Sequence, residues 1–435
     1  MTSMNEPKPS LKVGPFLVDR STEEVSRQGK RIDLTRTQFS VFLQLAEQKG
    51  GTVTRKKFEP WHRDVHTDVR HPVDNTIKEL RALLGKGIIL SAQGIGYRLN
   101  PSIPVTEIAG PSVSPAEKAR VIGLDRMNVF TLQSLRASIR SYEEVLRHGP
   151  DADAYANLAM NHINSGHTGF CLDVPQHTIH RARQLLKKAL ADYPDFSSAY
   201  ALRGLTKLIY EYDWKGARDD LNRAFDLNSD DEYAHVIGAH MDVALGRFDD
   251  GIAHARRAAK LDWRSPMTVL TLPWMLVLSG RIDEALLSCE EGLREFDPFA
   301  VGHIIHGYAL EASGARQQAI VEYTKSLDIA VFPDAYASLA HCTGVGGNVE
   351  AAMSWLTKLR EFKEIGFVSS YYEALVHLAL GKREEALDAL DRAYMEKCDW
   401  LIYLNVEPRW EPIRKNARFI SLMQKVGLVV ADSEY

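Results

Sequence analysis

Small residues recur along the rear two-thirds of the chain in three registers, and apolar positions at helical spacing lie between them. Gly246, Gly280, Gly314, Gly347 and Gly381 stand 34, 34, 33 and 34 residues apart, each closing an amphipathic run ahead of a short polar turn. Ala217, Gly251, Ala285, Ala319, Ala352 and Ala386 follow the same step, as do Ala224, Ala258, Gly292 and Ser326, with Ala393 in the last unit. Repetition at this period predicts stacked helical hairpins, because two helices that cross closely leave no room for a branched side chain at the crossing. About seven pairs are expected over 151–397: Asp151–Tyr193, Phe196–Asn228, Asp231–Leu261, Pro266–Phe296, Phe299–Ile329, Asp334–Phe362 and Ser369–Met395. Residues 119–150 read as a leading helical segment, and 398–430 as a C-terminal capping segment that seals the last pair.

Residues 11–100 carry a different pattern. Val13–Val18 predicts a short strand, and Glu24–Arg27 with Arg31–Asp33 flank the Gln28-Gly29-Lys30 turn. Thr35 can cap a helix with Gln38 as its capping-box partner, placing Phe39, Phe42, Leu43 and Ala46 on one face. A short helix fits Thr54–Pro60, a loop Trp61–Val69, and a third helix Pro72–Leu84 with proline in its first turn. Ile88–Leu99 closes the module as a hairpin, a wing. The predicted fold class is thus an N-terminal α+β winged helix-turn-helix domain over 11–100, followed by an all-α repeat solenoid. Four prolines in residues 101–118 mark a linker between them.

The third helix has two unlike faces. At about 100° per residue, Val73, Ile77, Leu80 and Leu84 form one narrow arc, and His71, Asn75, Lys78 and Ala82 form the opposite one. Such a polar stripe fits a major groove: Asn75 can pair with a base edge, Lys78 can reach guanine acceptors or phosphate, and Ala82 allows close approach. Arg55, Lys56, Lys57, Arg70 and Arg81 lie to the side, as phosphate contacts would. Any amphipathic helix has a polar face, so this pattern gains weight only from its surroundings.

Charge sharpens the division. The 435-residue chain has a net charge of −4. Residues 1–100 hold 17 Lys and Arg against 11 Asp and Glu, a balance of +6 that leaves −10 for the rest. A basic module ahead of an acidic solenoid suits a nucleic-acid contact at one end. No apolar run reaches the roughly 18 residues a membrane helix requires, and the N-terminus has no apolar signal core, so a cytoplasmic protein without membrane contact is expected. Cys171, Cys289, Cys342 and Cys398 are scattered and read as reduced thiols. His162, His167, Cys171, His177 and His180 crowd the first unit without the spacing of a zinc site. GVGGN at 344–348 lacks the Lys-Ser/Thr of a phosphate loop. The expectation is no enzyme, no metal and no cofactor.

The segments GRFDDGIAHARRAAKLD (246–262), GRIDEALLSCEEGLREFDP (280–298) and GKREEALDALDRAYMEK (381–397) resemble the tetratricopeptide repeat. LTRTQFSVFLQLAEQKGGTVTRKKF, RHPVDNTIKELRALL and GIGYRL are similar to the OmpR/PhoB-type winged helix of bacterial transcription regulators. Matching positions include Leu34, Thr35, Phe39, Gly51, Arg55, Val73, Asp74, Ile77, Leu80, Arg81 and Gly94 to Leu99. That resemblance implies a recognition helix at Pro72–Leu84 and a wing at Gln93–Gly96 approaching an adjacent minor groove, with Gln93 and Arg98 among the DNA-binding residues. The family often has an acidic residue at Gln38, a basic one at Leu83 and Arg at Gln93, so the expected contact with double-stranded DNA is weakened, which favours a homodimer on DNA. The tandem of winged helix and repeats resembles HilA-like transcriptional regulators, implying sequence-specific regulation and a contact with RNA polymerase. The alternative is an interaction scaffold whose winged helix no longer binds DNA.

Aligned on its small residue, each repeat presents one position to the groove: Met160, Leu205, His240, Trp274, Tyr308, His341 and Leu375. This apolar and aromatic row predicts a hydrophobic peptide, partner protein or small effector, with Met160, His240, Trp274, Tyr308 and His341 as the groove site. Packing between neighbouring helices is the alternative use of the same residues.

Overall fold

The structure is a computed structural model and describes residues 10–428 except 21–23, 29, 33, 35, 59–71, 93, 109–115, 117–118, 121, 124–130, 168–172, 263–264, 297 and 365. The chain divides into two compact units, Met1–Ser114 and Pro115–Tyr435.

In the first unit, a five-stranded antiparallel sheet has the order β4-β3-β2-β1-β8, formed by β1 (Ser10–Val13), β2 (Phe16–Asp19), β3 (Glu24–Arg27), β4 (Lys30–Ile32) and β8 (Val105–Ile108). The single strand expected at Val13–Val18 is therefore the end of one strand and the start of another, turned at Gly14, whose φ of 56° is left-handed. Strand β8 falls inside the expected linker and pairs Leu11 with Glu107 and Val13 with Val105. Proline spacing hid this strand, since Pro101 and Pro104 stop just short of it.

Helix α1 (Arg36–Glu47) buries Phe39, Val41, Phe42, Leu45 and Ala46, while Leu43 is only half-buried. Phe42 meets Phe16 edge-on with ring centres 6.1 Å apart, an aromatic contact that ties helix to sheet. Gln38 donates to Glu79 at 2.9 Å rather than serving only its own helix; its expected partner Thr35 lies outside the described residues. Helices α2 (Arg55–Phe58) and α3 (Pro72–Leu84) follow, and β5 (Val53–Thr54), β7 (Gly96–Leu99) and β6 (Ile89–Ala92) make a second sheet in the order β5-β7-β6. A Cβ at Gly96 would lie 2.0 Å from the Val53 carbonyl oxygen, so the wing crosses β5 only with glycine there.

The second unit is a tetratricopeptide-like solenoid. After α4 (Leu132–Arg147) come seven helical pairs among the described residues: α5 and α6 (Ala152–Gly166, Pro175–Asp192), α7 and α8 (Ser197–Thr206, Trp214–Leu227), α9 and α10 (Glu232–Ala244, Phe248–Leu261), α11 and α12 (Pro266–Leu278, Ile282–Phe296), α13 and α14 (Ala300–Ala312, Arg316–Ile329), α15 and α16 (Pro333–Val345, Val349–Lys363), and α17 and α18 (Ser370–Ala379, Arg383–Met395). The small registers act at the crossings: a Cβ at Gly251 would come within 2.6 Å of Val243 Cγ2. The turn register is left-handed, φ running from 72° to 86° at Gly246, Gly280, Gly314, Gly347 and Gly381. One step earlier the same position is Tyr212, also left-handed at φ 56° after a π-helical turn over Lys207–Glu211. A tyrosine held there is strained, and strain of this kind persists only where other contacts enforce it.

Those contacts come from the C-terminus. Residues 399–413 form two 3-10 turns, Asp399–Tyr403 and Pro408–Ile413, and α19 spans Ala417–Val426. The segment does seal the last pair: Arg418 bonds Asp388 at 2.8 Å and Asp391 at 2.7 Å. Beyond that capping role, it also reaches back along the inner side of the other six pairs. His167 pairs with Asp399 at 2.9 Å, and Tyr212 donates to the Cys398 carbonyl at 3.0 Å. Trp214 Nε1 donates to the Val426 carbonyl at 2.6 Å, Tyr403 bonds His240 at 2.5 Å, and Arg409 Nη1 donates to Ser338 of the sixth pair at 3.3 Å; in the last pair Trp410 Nε1 donates to Tyr371 at 3.1 Å. Trp400 lies 5.2 Å from Trp274, and Arg409 stands over the Tyr308 ring at 4.4 Å.

Candidate nucleic-acid interface and repeat cavity

Two places gather the sequence-predicted residues, one in each unit.

On α3, the inner arc Val73, Ile77, Leu80 and Leu84 is buried, and Thr76 joins it. Asn75, Lys78 and Ala82 are exposed on the other side. The helix is fixed by a cluster that the sequence named only position by position. Tyr97 donates to Asp74 Oδ1 at 2.5 Å, Arg55 Nε donates to the same oxygen at 3.1 Å, and the Arg55 guanidinium sits 5.1 Å from the Tyr97 ring centre. Burial and the Asp74 hydrogen bond raise the Tyr97 hydroxyl above its ordinary range. Arg81 donates to the Ile89 carbonyl and to Ser91, each at 2.9 Å, bridging α3 to the wing strand β6.

The flanking cations therefore separate. Arg55 and Arg81, expected against phosphate, also brace the third helix. Lys57 is exposed on α2, and Arg98 is half-buried on β7. Arg70, His71 and Gln93 lie outside the described residues, as does the side chain of Lys56. Among the described residues predicted to meet DNA, Asn75, Lys78 and Lys57 are exposed, as is Ala82.

No family model matches the chain. Over roughly its N-terminal fifth, it is similar to bacterial response regulators. It is 30% identical over 99 residues to the transcriptional regulatory protein AfsQ1 of Streptomyces coelicolor, a match covering 21% of this chain and 44% of that protein. To the DNA-binding response regulator MtrA of Mycolicibacterium smegmatis it is 30% identical over 111 residues, covering 22% and 45%. The chain thus spans less than half the length of these relatives. Among solved structures, the Cut9–Hcn1 assembly aligns with 70% of this chain and 55% of that one at 15% identity and a TM-score of 0.49. A tetratricopeptide repeat protein of Parabacteroides merdae aligns with 61% of this chain and 99% of its own at 13% identity and a TM-score of 0.40. At such scores these add nothing to what the helix pairing itself shows.

In the second unit, Met160, His240, Trp274 and Tyr308 meet on one cavity of about 220 Å³. The open groove expected there is instead partly covered by the chain's own Asp399, Trp400 and Tyr403, which line the cavity. Trp274 and Tyr308 are buried, with ring centres 5.0 Å apart. Burial pushes the His240 imidazole down to about 4, so it is neutral at pH 7 and bonds Tyr403 as such. His341 lies apart, bonded to Glu311 at 2.7 Å. Burial works to raise the Glu311 carboxyl, but the charge and hydrogen bond of His341 overcome it and hold it at about 2.

Reading apolar groove positions from the repeat register located these residues but missed their partners, because residues 399–413 have no helical periodicity to announce an inner strand of contacts. The aromatic density of that stretch, Trp400, Tyr403 and Trp410, was the available signal. Among the described residues, no three His, Cys, Asp or Glu side chains come together as metal ligands, and no helix is long and apolar enough to cross a membrane; Cys171 lies outside the described residues.

Proposed function

We propose that the chain is a sequence-specific DNA-binding transcription regulator, with the N-terminal unit reading the major groove and the repeat unit as its effector and partner module. The observation that carries this reading is α3, whose buried arc fixes the helix while Asn75, Lys78 and Ala82 face outward without a core to fill. In this reading Asn75 bonds a base edge, Lys78 meets guanine acceptors or phosphate, and the short Ala82 side chain permits close approach. Arg55 and Arg81 hold the helix at its angle. Similarity to the named regulators over the same part of the chain supports it, and the tandem of winged helix and repeats supports a HilA-like architecture, with promoter-bound copies contacting RNA polymerase. The winged helix is internally braced by Arg55 and Arg81, which favours as a second reading an interaction scaffold without DNA contact.

Selection of genomic fragments bound by the full chain tests the choice. A shared short motif is expected, with Asn75→Ala broadening base preference at one position by about 1–3 kcal/mol of lost discrimination. Recovery of unrelated fragments by both proteins, or of none, would favour the scaffold.

A further inference from the structure

We propose that the cavity of the repeat unit binds an uncharged aliphatic chain with at most one small polar end, held between the first helices of the pairs and the C-terminal segment. This deepens the effector role proposed for the repeat unit. Binding is read without DNA, so its failure leaves DNA recognition standing.

Size and lining come first. At about 220 Å³ the cavity is smaller than the roughly 300–1,000 Å³ of drug-sized sites and is partly open to solvent, so a short chain fits and a peptide helix does not. Met160 and Ile163 of α5, Leu205 of α7, Ile237 of α9, Met267 of α11 and Ile304 of α13 line it. The first helices of five successive pairs thus contribute aliphatic side chains, and Ile402 of the C-terminal segment joins them. The rings in the wall are engaged already. Arg409 stands over the Tyr308 ring at 4.4 Å, and Trp400 is stacked with Tyr371 at 6.2 Å. Trp274 packs against Tyr308, Trp400 and Tyr403. A ring ligand that stacked on Tyr308 or Trp400 would compete with these partners, whereas an aliphatic chain needs only apolar surface to cover.

Charge removes the other ligands. Asp399 pairs with His167 at 2.9 Å, and Asp262 accepts from Thr268 at 3.5 Å. Asp334 accepts from Tyr308 and Ser338 and faces Arg409. His240 is neutral and bonded to Tyr403. Burial raises Glu232 to about 7, so about half of it carries no charge at pH 7. The charged groups of the wall therefore answer one another, and a charged ligand would be desolvated without a counter-charge of its own. A neutral chain leaves every one of these pairs intact.

Calorimetric titration of the full chain with 1-butanol, 1-hexanol and 1-octanol varies chain length alone. One-to-one binding is expected, tightening about fourfold per methylene and so about fifteenfold from each alcohol to the next. At pH 7 octylamine and octanoate, charged and of the same length, are expected to bind about tenfold or more weakly than 1-octanol. Val301→Phe, at a half-buried wall position, narrows the cavity and weakens 1-octanol several-fold. Leu287→Phe, on the exposed side of α12, leaves it unchanged. The titrations of the parent chain decide the matter even where Val301→Phe does not fold. A gain below about twofold per methylene would overturn the proposal. So would equal or tighter binding of either charged analogue, indifference of 1-octanol to a folded Val301→Phe, or no saturable heat up to the solubility limit of 1-octanol.

Discussion

On α3 the side chains opposite the core stand exposed, whereas in the repeat unit the positions found by the same periodic logic, Trp274 and Tyr308, are covered by the chain's own residues 399–410. Periodicity tells which side of a helix faces away from its immediate partner. It does not tell whether a distant segment returns to cover that side. In the N-terminal unit nothing described returns over Asn75 or Lys78, so the stripe stays exposed. In the repeat unit the inner face is mostly spent on folding, and small cavities are left over among the described residues.

The comparison is broken most severely at Arg409. Buried beside Glu407 and against Tyr308, it neutralises carboxylates that have no access to water. Arg409→Met leaves Glu407 and Asp334 buried without it, and a loss of about 3–5 kcal/mol is expected in denaturant melts of the full chain. A loss below about 1 kcal/mol would mean that the C-terminal segment is not integral to the solenoid. Tyr212→Phe is gentler. It removes the hydrogen bond to the Cys398 carbonyl while keeping the ring stacked on Tyr394 at 5.7 Å, and about 1 kcal/mol is expected.

Acid sharpens the contrast within the repeat unit. Burial holds His162 and His240 at about 4, below the ordinary 6.5. The unfolded chain takes up these protons near pH 6.5 and the folded chain only near 4, so their contribution is complete above 6.5 and is lost as pH falls through that window. Each proton contributes a slope of up to about 1.4 kcal/mol per pH unit. His162→Gln should flatten the acid limb of the stability profile by up to that slope; an unchanged limb would contradict the buried neutral imidazole.

The smallest stability effect belongs to the surface that matters most for the proposed function. Asn75→Ala and Lys78→Ala are expected to leave melting within about 0.5 kcal/mol of the parent, as for exposed positions away from packing. A larger loss would mean that the stripe is structural.

Much of this was legible. Small residues at a fixed step mark helix crossings because a Cβ at Gly251 or Gly292 would collide with the facing helix, so the seven pairs follow from the sequence. The two arcs of α3 were equally plain. Three features were not. Tyr212 occupies the register held elsewhere by left-handed glycines, and a tyrosine gives no sign that its hydroxyl donates to the Cys398 carbonyl, 186 positions later in the chain. Strand β8 is short and follows prolines. Arg55, Asp74 and Tyr97 are far apart in sequence, and their convergence on one carboxylate oxygen, which makes Arg55 a brace of the third helix, exists only in three dimensions.

The salt dependence of DNA binding by the full chain tests the central claim most directly. If Lys78 and its neighbours neutralise phosphates, log Kobs falls linearly with log salt at about 0.9 per phosphate contact, and Lys78→Ala either makes that slope shallower by about one or, if Lys78 reads guanine, weakens one site selectively. A flat salt dependence in the parent protein, unchanged by Lys78→Ala, would contradict DNA recognition by this face.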